Sequence, residues 1–187
     1  MKVKGNVIKT RIAFVKERFG EAAWEKVLAA LPEGDRQPLR SVVGVGWFEF
    51  ELGDRLDKAI VAVLGGGNTR IFEDMGRASA RDNLAGPHSS FLQPRDPQKF
   101  MAKTPVIYRF YYDTGQRTWE AKGPTSGVLT TTGNEGFSTV DCATVVGWYR
   151  EALAMLGAQN VSIVETTCCA RGDDACRYQV SWSQGPS

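Results

Sequence analysis

The chain has 187 residues, of which 42% are hydrophobic and 24% are charged. These values are typical of a globular protein and exclude a disordered or collagen-like chain. Lys and Arg number 23 against 21 Asp and Glu, and the two signs are interleaved along the sequence. Because a nucleic-acid-binding protein usually concentrates its basic residues in one stripe or arm, we do not expect nucleic acid as a partner.

The length of the chain fits one domain. We expect a single domain over residues 1–187, with a mainly helical half over 1–95 and an α+β half over 96–187. No apolar run is long enough to span a bilayer, and the first residues lack the apolar core of a signal peptide. The sequence therefore predicts a cytoplasmic protein without a membrane span.

Apolar residues recur at helical spacing through most of the first half. This spacing predicts helices over residues 7–19, 21–31 and 69–84. Apolar side chains also recur through 47–64, a segment that ends at three consecutive glycines and that we likewise assign to a helix. The stretch 34–40 lacks such spacing and is assigned to a loop.

Strand-like segments begin in the second half of the chain. The Asp-Pro pair at 96–97 is typical of a helix start, although Pro105 leaves the length of that helix open. A long amphipathic helix is predicted to begin at Ser138 or Thr139 and to end at Gly157. Two strands are expected before it and two after it, over residues 117–121, 128–132, 160–167 and 175–182. The fold class is therefore α+β, with N-terminal helices packed with a four-stranded antiparallel sheet and a long helix in the C-terminal half.

Three of the four cysteines and one carboxylate form a candidate metal site. Its members are Cys142, Glu165, Cys168 and Cys176. In a chain without a secretion signal, disulfides are not the expected role of cysteines. Three thiolates and one carboxylate suit a closed tetrahedral zinc site, which would clamp the last hairpin onto the long helix.

Two features leave the zinc interpretation open. Cys142 lies on the apolar face of its predicted helix, where a cysteine is often a small core residue. Glu165 and Cys168 would point to opposite faces of a regular strand, whereas Cys169 would share the face of Glu165. The zinc site therefore requires a strand that bulges or ends near residues 166–167. We assign no role to Cys169.

The sequence from 165 to 178 resembles the C-terminal signature of the 4-vinyl reductase domain. In that signature a glutamate precedes a cysteine, a glycine-containing turn, a second cysteine, a basic residue and an aromatic residue. The family includes sensor domains of aromatic-responsive transcription activators of the XylR type. It shares its fold with TRAPP trafficking subunits and haem nitric-oxide-binding domains.

This resemblance is sharp over residues 142–182 and implies a structural zinc. In the aromatic sensors, a helix cysteine, a glutamate and two hairpin cysteines hold the metal. Matched residue by residue, the implied ligands are Cys142, Glu165, Cys168 and Cys176. More loosely, the whole chain resembles a myxobacterial family of short stand-alone bacterial proteins of unknown function.

Aromatic residues mark a candidate ligand pocket between the sheet and the helices. We assign to it Tyr108, Tyr112, Trp119 and Trp148, whose rings, hydroxyls and indoles would hold a small hydrophobic or aromatic ligand. The same residues also fit core packing, and the sequence does not separate the two. Haem is not expected, because the single histidine, His88, lies in a loop-like stretch that we interpret as solvated and no Tyr-x-Ser-x-Arg motif is found.

These features predict a ligand-sensing regulatory module with a structural zinc, and not an enzyme. Its signal would leave through a protein partner or through rearrangement of a homodimer. One alternative is a TRAPP-like scaffold whose pocket is shut or filled by an acyl chain. Another is a tetrapyrrole vinyl reductase, for which no residue is an evident hydride or proton donor.

The homodimer is predicted from the first helix, which has apolar residues on two sides. Ile8, Ile12 and Val15 lie on one side, and Val7 and Phe14 lie on another. One face could cover its own domain and the other a partner. We therefore expect the helical half over 1–95 to contribute most of the dimer contact and the zinc hairpin to lie outside it. The same residues also fit one broad buried face of a monomer.

Overall fold

The computed structural model describes residues 1–86, 88–136 and 138–184. The helices of this part of the chain are α1 (Gly5–Phe19), α2 (Glu21–Ala29), α3 (Glu33–Arg40), α4 (Phe50–Val63), α5 (Ile71–Ala85), α6 (Pro97–Met101), α7 (Thr104–Tyr111) and α8 (Thr139–Met155). None of these helices combines the length and the hydrophobicity that crossing a membrane requires.

A four-stranded antiparallel sheet forms the other layer of the fold. Its strands are β3 (Gln116–Gly123), β4 (Ser126–Thr132), β5 (Gln159–Thr167) and β6 (Cys176–Ser183), in the spatial order β3-β4-β6-β5. Helix α8 packs on this sheet, α5 packs on α8, and α1 packs on α5. The predicted fold class and its four strands are therefore confirmed.

Two short elements were not predicted, and one prediction was wrong. Strands β1 (Lys2–Lys4) and β2 (Trp47–Glu49) pair antiparallel, but three residues are too few to show a periodicity. Residues 34–40, assigned to a loop, belong to helix α3. Leu39 is its single buried residue, so the segment has no apolar stripe, and acidic residues in its first turn favour the helix locally.

Two predicted helices have different bounds in the structure. The segment 47–64 divides into strand β2 and helix α4, so its first three residues are extended. The side chain of Asp96 caps α6, as predicted, by accepting a hydrogen bond from the backbone N–H of Lys99. The chain then begins a new helix, α7, with Pro105 in its first turn, where a proline's missing N–H is tolerated.

Two glycines allow the backbones of α5 and α8 to touch. A Cβ atom at Gly147 would lie closer than 3.0 Å to the carbonyl oxygen of Glu73, and one at Gly76 would be equally close to that of Thr144. Any larger residue would separate the helices. This contact fixes α8 between α5 and the sheet, and with it the side chains that α8 contributes to two neighbouring sites.

Candidate metal centre and ligand cavity

The four candidate zinc ligands, Cys142, Glu165, Cys168 and Cys176, lie together where the start of α8 meets the β5–β6 hairpin. We call this group the Cys-Glu cluster. Their ligand atoms all lie within 4.8 Å of one another. The Sγ atom of Cys142 is 3.7 Å from that of Cys168 and 3.8 Å from that of Cys176. A tetrahedral zinc with Zn–S bonds of about 2.3 Å has S–S edges of about 3.8 Å. Both separations match such an edge.

The strand irregularity that this cluster requires is present at the end of β5. Glu165 pairs with Tyr178 and Thr167 pairs with Arg177, so the register shifts between residues 165 and 167. The strand ends at Thr167, and Cys168 leads into a short 3-10 turn. Cys168 is thereby freed from strand alternation and joins Glu165 in the cluster.

Glu165 brings an unpaired oxygen to the cluster. Its Oε2 accepts a hydrogen bond from Arg171 at 2.9 Å, whereas its Oε1 is buried without a hydrogen-bond partner in the described part of the chain. A buried carboxylate oxygen without a partner is unfavourable. The vacant acceptor is therefore a second sign, independent of the sulfur spacing, that a cation belongs here.

The thiols of the cluster differ in acidity. Cys142 donates a hydrogen bond to Cys176, which lowers the pKa of Cys176 to about 6 and, together with burial, raises the pKa of Cys142. The backbone N–H of Cys169 also donates to Cys176 Sγ, at 3.4 Å. Cys169 thus supports the cluster through its backbone, while its side chain is not one of the four ligands. Cys176 offers a thiolate, the form that binds metals.

A cavity of about 60 Å³ lies between α1, α7, α8 and β3. Six of its lining residues are Tyr108, Tyr111, Tyr112, Arg117, Trp148 and Tyr149. Arg117 also lines a smaller cavity of about 20 Å³ that reaches Cys142 and Cys176. The ligand cavity and the Cys-Glu cluster are therefore neighbours, and α8 contributes residues to both.

Arg11 crosses one wall of this cavity and is fully paired. Its Nε lies 2.6 Å from Asp57 Oδ1, and its Nη2 lies 3.0 Å from Asp141 Oδ1. The Tyr112 hydroxyl also donates to Asp141, at 3.1 and 3.2 Å. Burial, with two carboxylates sharing one guanidinium, raises the pKa of Asp57 to about 6. The charge of Arg11 is thus compensated within the protein, and its two carboxylates together carry one negative charge more than Arg11 balances.

Arg117 differs from Arg11, although it is equally buried. Only 7% of it is exposed, and its Nε donates to Thr131 Oγ1 at 2.8 Å. Its guanidinium lies 5.0 Å from the ring centre of Tyr108 and 5.7 Å from that of Tyr149. Among the described residues no carboxylate forms an ion pair with it. Aromatic faces stabilise a cation but supply no counter-charge.

Two tyrosine hydroxyls in the cavity also lack partners. Tyr111 and Tyr149 are buried, and neither O–H group has an acceptor within residues 1–86, 88–136 and 138–184. Burial raises the pKa of both phenols, so each remains a protonated donor at neutral pH. Beside Arg117, which has no carboxylate partner, the cavity therefore presents two O–H donors without an acceptor among the described residues.

The structure separates the four aromatic residues assigned to a ligand. Tyr108, Tyr112 and Trp148 line the cavity. Trp119 does not line it; this ring stacks on Trp182 at 6.3 Å, and its indole donates to Gln98 at 2.9 Å. Neither Arg117 nor Tyr149 was predicted from the sequence as part of a ligand site.

The only histidine in the chain lies outside this cavity. The ring of His88 packs against Phe91, Phe110 and Tyr111, with centroid separations of 5.4 to 5.9 Å. His88 lies in a turn, as expected, but it is half-buried among aromatic rings and not solvated. The same burial lowers its pKa.

Solved H-NOX structures share this fold. The H-NOX protein from S. oneidensis in the Fe(II)NO ligation state is 16% identical, with a TM-score of 0.75 over 97% of this chain and 99% of that chain. The Fe(II) unliganded H-NOX protein from K. algicida is 11% identical, with a TM-score of 0.75 over 98% of each chain. An oxygen-binding H-NOX domain related to soluble guanylate cyclases is 11% identical, with a TM-score of 0.72 over 97% and 96%. The fold is the one that the sequence resemblance implies through the haem nitric-oxide-binding domains.

The residues of this chain do not fit a haem. The cavity of about 60 Å³ is less than half of the roughly 150 Å³ that accommodates benzene, so a porphyrin cannot enter it. The imidazole of His88 is not on its wall. The backbone contact at Gly76 and Gly147 also closes the space between α5 and α8.

A search of curated proteins finds no match to this chain. A family model does match residues 68–183, which is more than half of the chain and runs from before α5 to the end of β6. The matched region contains all four residues of the Cys-Glu cluster, together with Arg117, Tyr111 and Tyr149. The chain belongs to this family, which is described as a protein of unknown function (DUF2378).

Proposed function

We propose that this protein is a small-molecule-binding sensor or regulatory module, and not an enzyme. The observation that carries the proposal is the donor-rich cavity, in which the buried Arg117 has no carboxylate partner and the O–H groups of Tyr111 and Tyr149 have no acceptor among the described residues. Buried polar groups are normally paired, so an outside molecule is the simplest partner for them. Solved structures that share the fold include an H-NOX protein in the Fe(II)NO ligation state and an H-NOX domain in complex with oxygen, which supports a ligand-binding role.

Mass spectrometry of the native protein tests this function. A small organic mass that co-purifies with the chain, and that is lost on denaturation, is the expected result. A chain without any bound molecule, which also binds none from a library of small metabolites, would favour the TRAPP-like scaffold with a shut pocket. Reduction of a tetrapyrrole vinyl group would instead establish the enzyme and overturn the proposal. The second form of the TRAPP-like scaffold, in which an acyl chain fills the pocket, is disfavoured because a cavity of about 60 Å³ is too small for an acyl chain.

We also propose that Cys142, Glu165, Cys168 and Cys176 hold a structural zinc. Support comes from the sulfur separations of 3.7 and 3.8 Å and from the unpaired Oε1 of Glu165. Four protein donors leave no open position, which is the pattern of a structural zinc rather than a catalytic one. The metal would supply a cross-link between α8 and the β5–β6 hairpin.

Elemental analysis of protein purified without added metal tests the zinc. We expect about one zinc per chain. The Glu165→Gln variant keeps the size of the side chain but removes its charge, so it should hold zinc more weakly while remaining folded. Metal-free protein with unchanged stability would contradict the proposal.

Output through a protein partner and assembly into a homodimer are further parts of the proposal. Within one chain, Ile8, Phe14 and Val15 of α1 are buried, and Val7 and Ile12 are partly buried against the same core. Helix α1 therefore presents less free apolar surface than its sequence suggests. Sedimentation at micromolar concentration decides the assembly: a mass near 20.5 kDa excludes the dimer, and twice that mass supports it.

A cytoplasmic location is proposed because reduced thiols are needed for the metal.

A further inference from the structure

We propose that the cavity beside α8 binds a small carboxylate, whose oxygens accept hydrogen bonds from Arg117, Tyr111 and Tyr149. This inference rests on the proposed ligand-binding function and names the class of ligand. It begins from a contrast between two buried arginines. Arg11 has two carboxylates, Asp57 and Asp141, within hydrogen-bonding distance, whereas Arg117 has no carboxylate partner in the described part of the chain.

Neither carboxylate near the cavity forms an ion pair with Arg117. Asp141 lines the cavity, but Arg11 and the Tyr112 hydroxyl hold its oxygens at 3.0 to 3.2 Å. Asp57 is fixed to Arg11 at 2.6 Å. A buried guanidinium without a counter-ion is strongly unfavourable, so an anion from outside would relieve it.

The two free hydroxyls define the shape of the anionic group. Tyr111 and Tyr149 each have one O–H to donate, and both are more than nine-tenths buried. A carboxylate has two oxygens and about four lone-pair positions, enough for a guanidinium fork and two hydroxyls together. A neutral ligand would satisfy the hydroxyls but would leave the charge of Arg117 without a partner.

The rest of the cavity limits the tail of the ligand. Its volume of about 60 Å³ is less than half of the roughly 150 Å³ that accommodates benzene. Ile107, Val145 and Trp148 supply apolar wall for a short alkyl tail. The chemistry therefore favours a short-chain monocarboxylate of a few non-hydrogen atoms over the aromatic ligand expected from the sequence.

Calorimetric titration of the full chain with sodium propionate tests the proposal at pH 7 and constant ionic strength. We expect saturable binding at one propionate per chain. Propionamide, which has nearly the same shape without the charge, should bind at least about tenfold more weakly, because hydrogen bonds to charged groups are the stronger ones. Sodium chloride is the control for salt, and sodium benzoate is the control for size.

Variants locate the binding. Arg117→Gln should abolish it, whereas Arg18→Gln, at an exposed arginine that pairs with Asp74, should leave it unchanged. If Arg117→Gln does not fold, Tyr149→Phe removes only a hydroxyl and should weaken binding about tenfold. In an NMR spectrum, propionate should shift the indole signal of Trp148 and not that of the exposed Trp47.

The outcomes separate this inference from the proposed function. If propionate and propionamide bind equally, or if Arg117→Gln and Tyr149→Phe both bind propionate as the original chain does, the carboxylate assignment is overturned. If no carboxylate binds but the native protein carries a neutral small molecule, the inference fails and the sensor function stands. If neither binds and nothing co-purifies, both are overturned.

Discussion

Helix α8 contributes to two neighbouring sites of opposite character. Near the start of α8, Cys142 meets three acceptor groups from the β5–β6 hairpin, and the cluster is rich in electron-pair donors for a cation. Two turns later, Trp148 and Tyr149 line a cavity rich in hydrogen-bond donors for an anion. Each place contains buried polar atoms without a partner among the described residues, namely Glu165 Oε1 in the cluster and the Tyr111 and Tyr149 hydroxyls in the cavity. Unpaired groups of one kind, concentrated in one place, therefore indicate the chemistry of the missing partner.

The sites differ in how far apart their residues lie in the sequence. Three ligands of the cluster, Glu165, Cys168 and Cys176, come from one hairpin, and only Cys142 comes from elsewhere. The cavity takes residues from α1, α7, β3 and α8. We expect the hairpin to depend on the proposed zinc, whereas the cavity depends on the packing of the whole fold. The predictions below test this contrast, beginning with the largest effect.

Cys176→Ser should have the largest effect on stability. Serine cannot replace a thiolate as a zinc ligand, and structural metal binding is coupled to folding, so we expect a loss of several kcal/mol together with loss of zinc. Chemical unfolding and elemental analysis measure the two effects. Cys169→Ser is the matched control, because this side chain is not one of the four ligands. A zinc-loaded, fully stable Cys176→Ser protein would show that the cluster is only a group of packed thiols.

The two buried arginines should respond differently to removal of their charge. Arg11→Met leaves Asp57 and Asp141 without their cation, and we expect a loss of about 3–5 kcal/mol in the free energy of unfolding. Arg117→Met keeps a side chain of similar length and removes a cation that has no counter-ion. The ligand-free Arg117→Met protein should therefore change by less than about 1 kcal/mol. Urea unfolding compares them, and equal losses would mean that Arg117 is satisfied within the protein.

The sequence predicted the cluster better than the cavity for a physical reason. Three of the four residues of the Cys-Glu cluster lie in one hairpin and the fourth lies in the preceding helix, so a short stretch of sequence contains most of the site. The one local obstacle was strand alternation, which the register shift between Glu165 and Thr167 removes. A bulge of this kind leaves little trace in the amino-acid composition. The sequence therefore showed that the metal site requires an irregular strand near residues 166–167, but it did not show whether the strand is irregular.

The cavity was harder to predict because its polar residues occupy positions within segments that the hydrophobic periodicity assigns to the core. Arg11 lies between Ile8 and Val15 on the buried side of α1, where the periodicity is interpreted as core. Arg117 occupies a buried position of β3. A cation at an inward-facing position was the available signal, but its lack of a carboxylate partner appears only when α1, α7, β3 and α8 are assembled. Trp119 shows the opposite error, since an aromatic residue on the same strand contacts Trp182 instead.

The pH dependence of stability should reveal the shared carboxylates beside Arg11. The pKa of Asp57 is about 6 in the folded chain, against about 3.9 for an unfolded aspartate. Between these values the folded state keeps a proton that the unfolded state has lost. Stability should therefore fall as pH rises from about 4 to about 6, by on the order of 2 kcal/mol from this group. In Asp57→Asn, unfolding measured across this range should lack that fall; an unchanged slope would assign it to other groups.

The smallest expected changes in the free energy of unfolding come from two tyrosines, one with a paired hydroxyl and one with an unpaired hydroxyl. Tyr112 donates to Asp141 at 3.1 Å, so Tyr112→Phe should lower the free energy of unfolding by about 1.5 kcal/mol. Tyr149 has no partner within the described residues, so Tyr149→Phe in ligand-free protein should change stability by no more than about 0.5 kcal/mol, with stabilisation equally acceptable.

Both variants remove one oxygen from a buried phenol, so their apolar packing is the same and the hydrogen bond is the difference that remains. Urea unfolding of the two variants in parallel measures it. Adding propionate should then stabilise Tyr112→Phe more than Tyr149→Phe, because only the second variant has lost a hydroxyl assigned to the anion. If Tyr149→Phe proves as destabilising as Tyr112→Phe without any ligand, the Tyr149 hydroxyl has a partner within the protein, and the cavity is not short of acceptors.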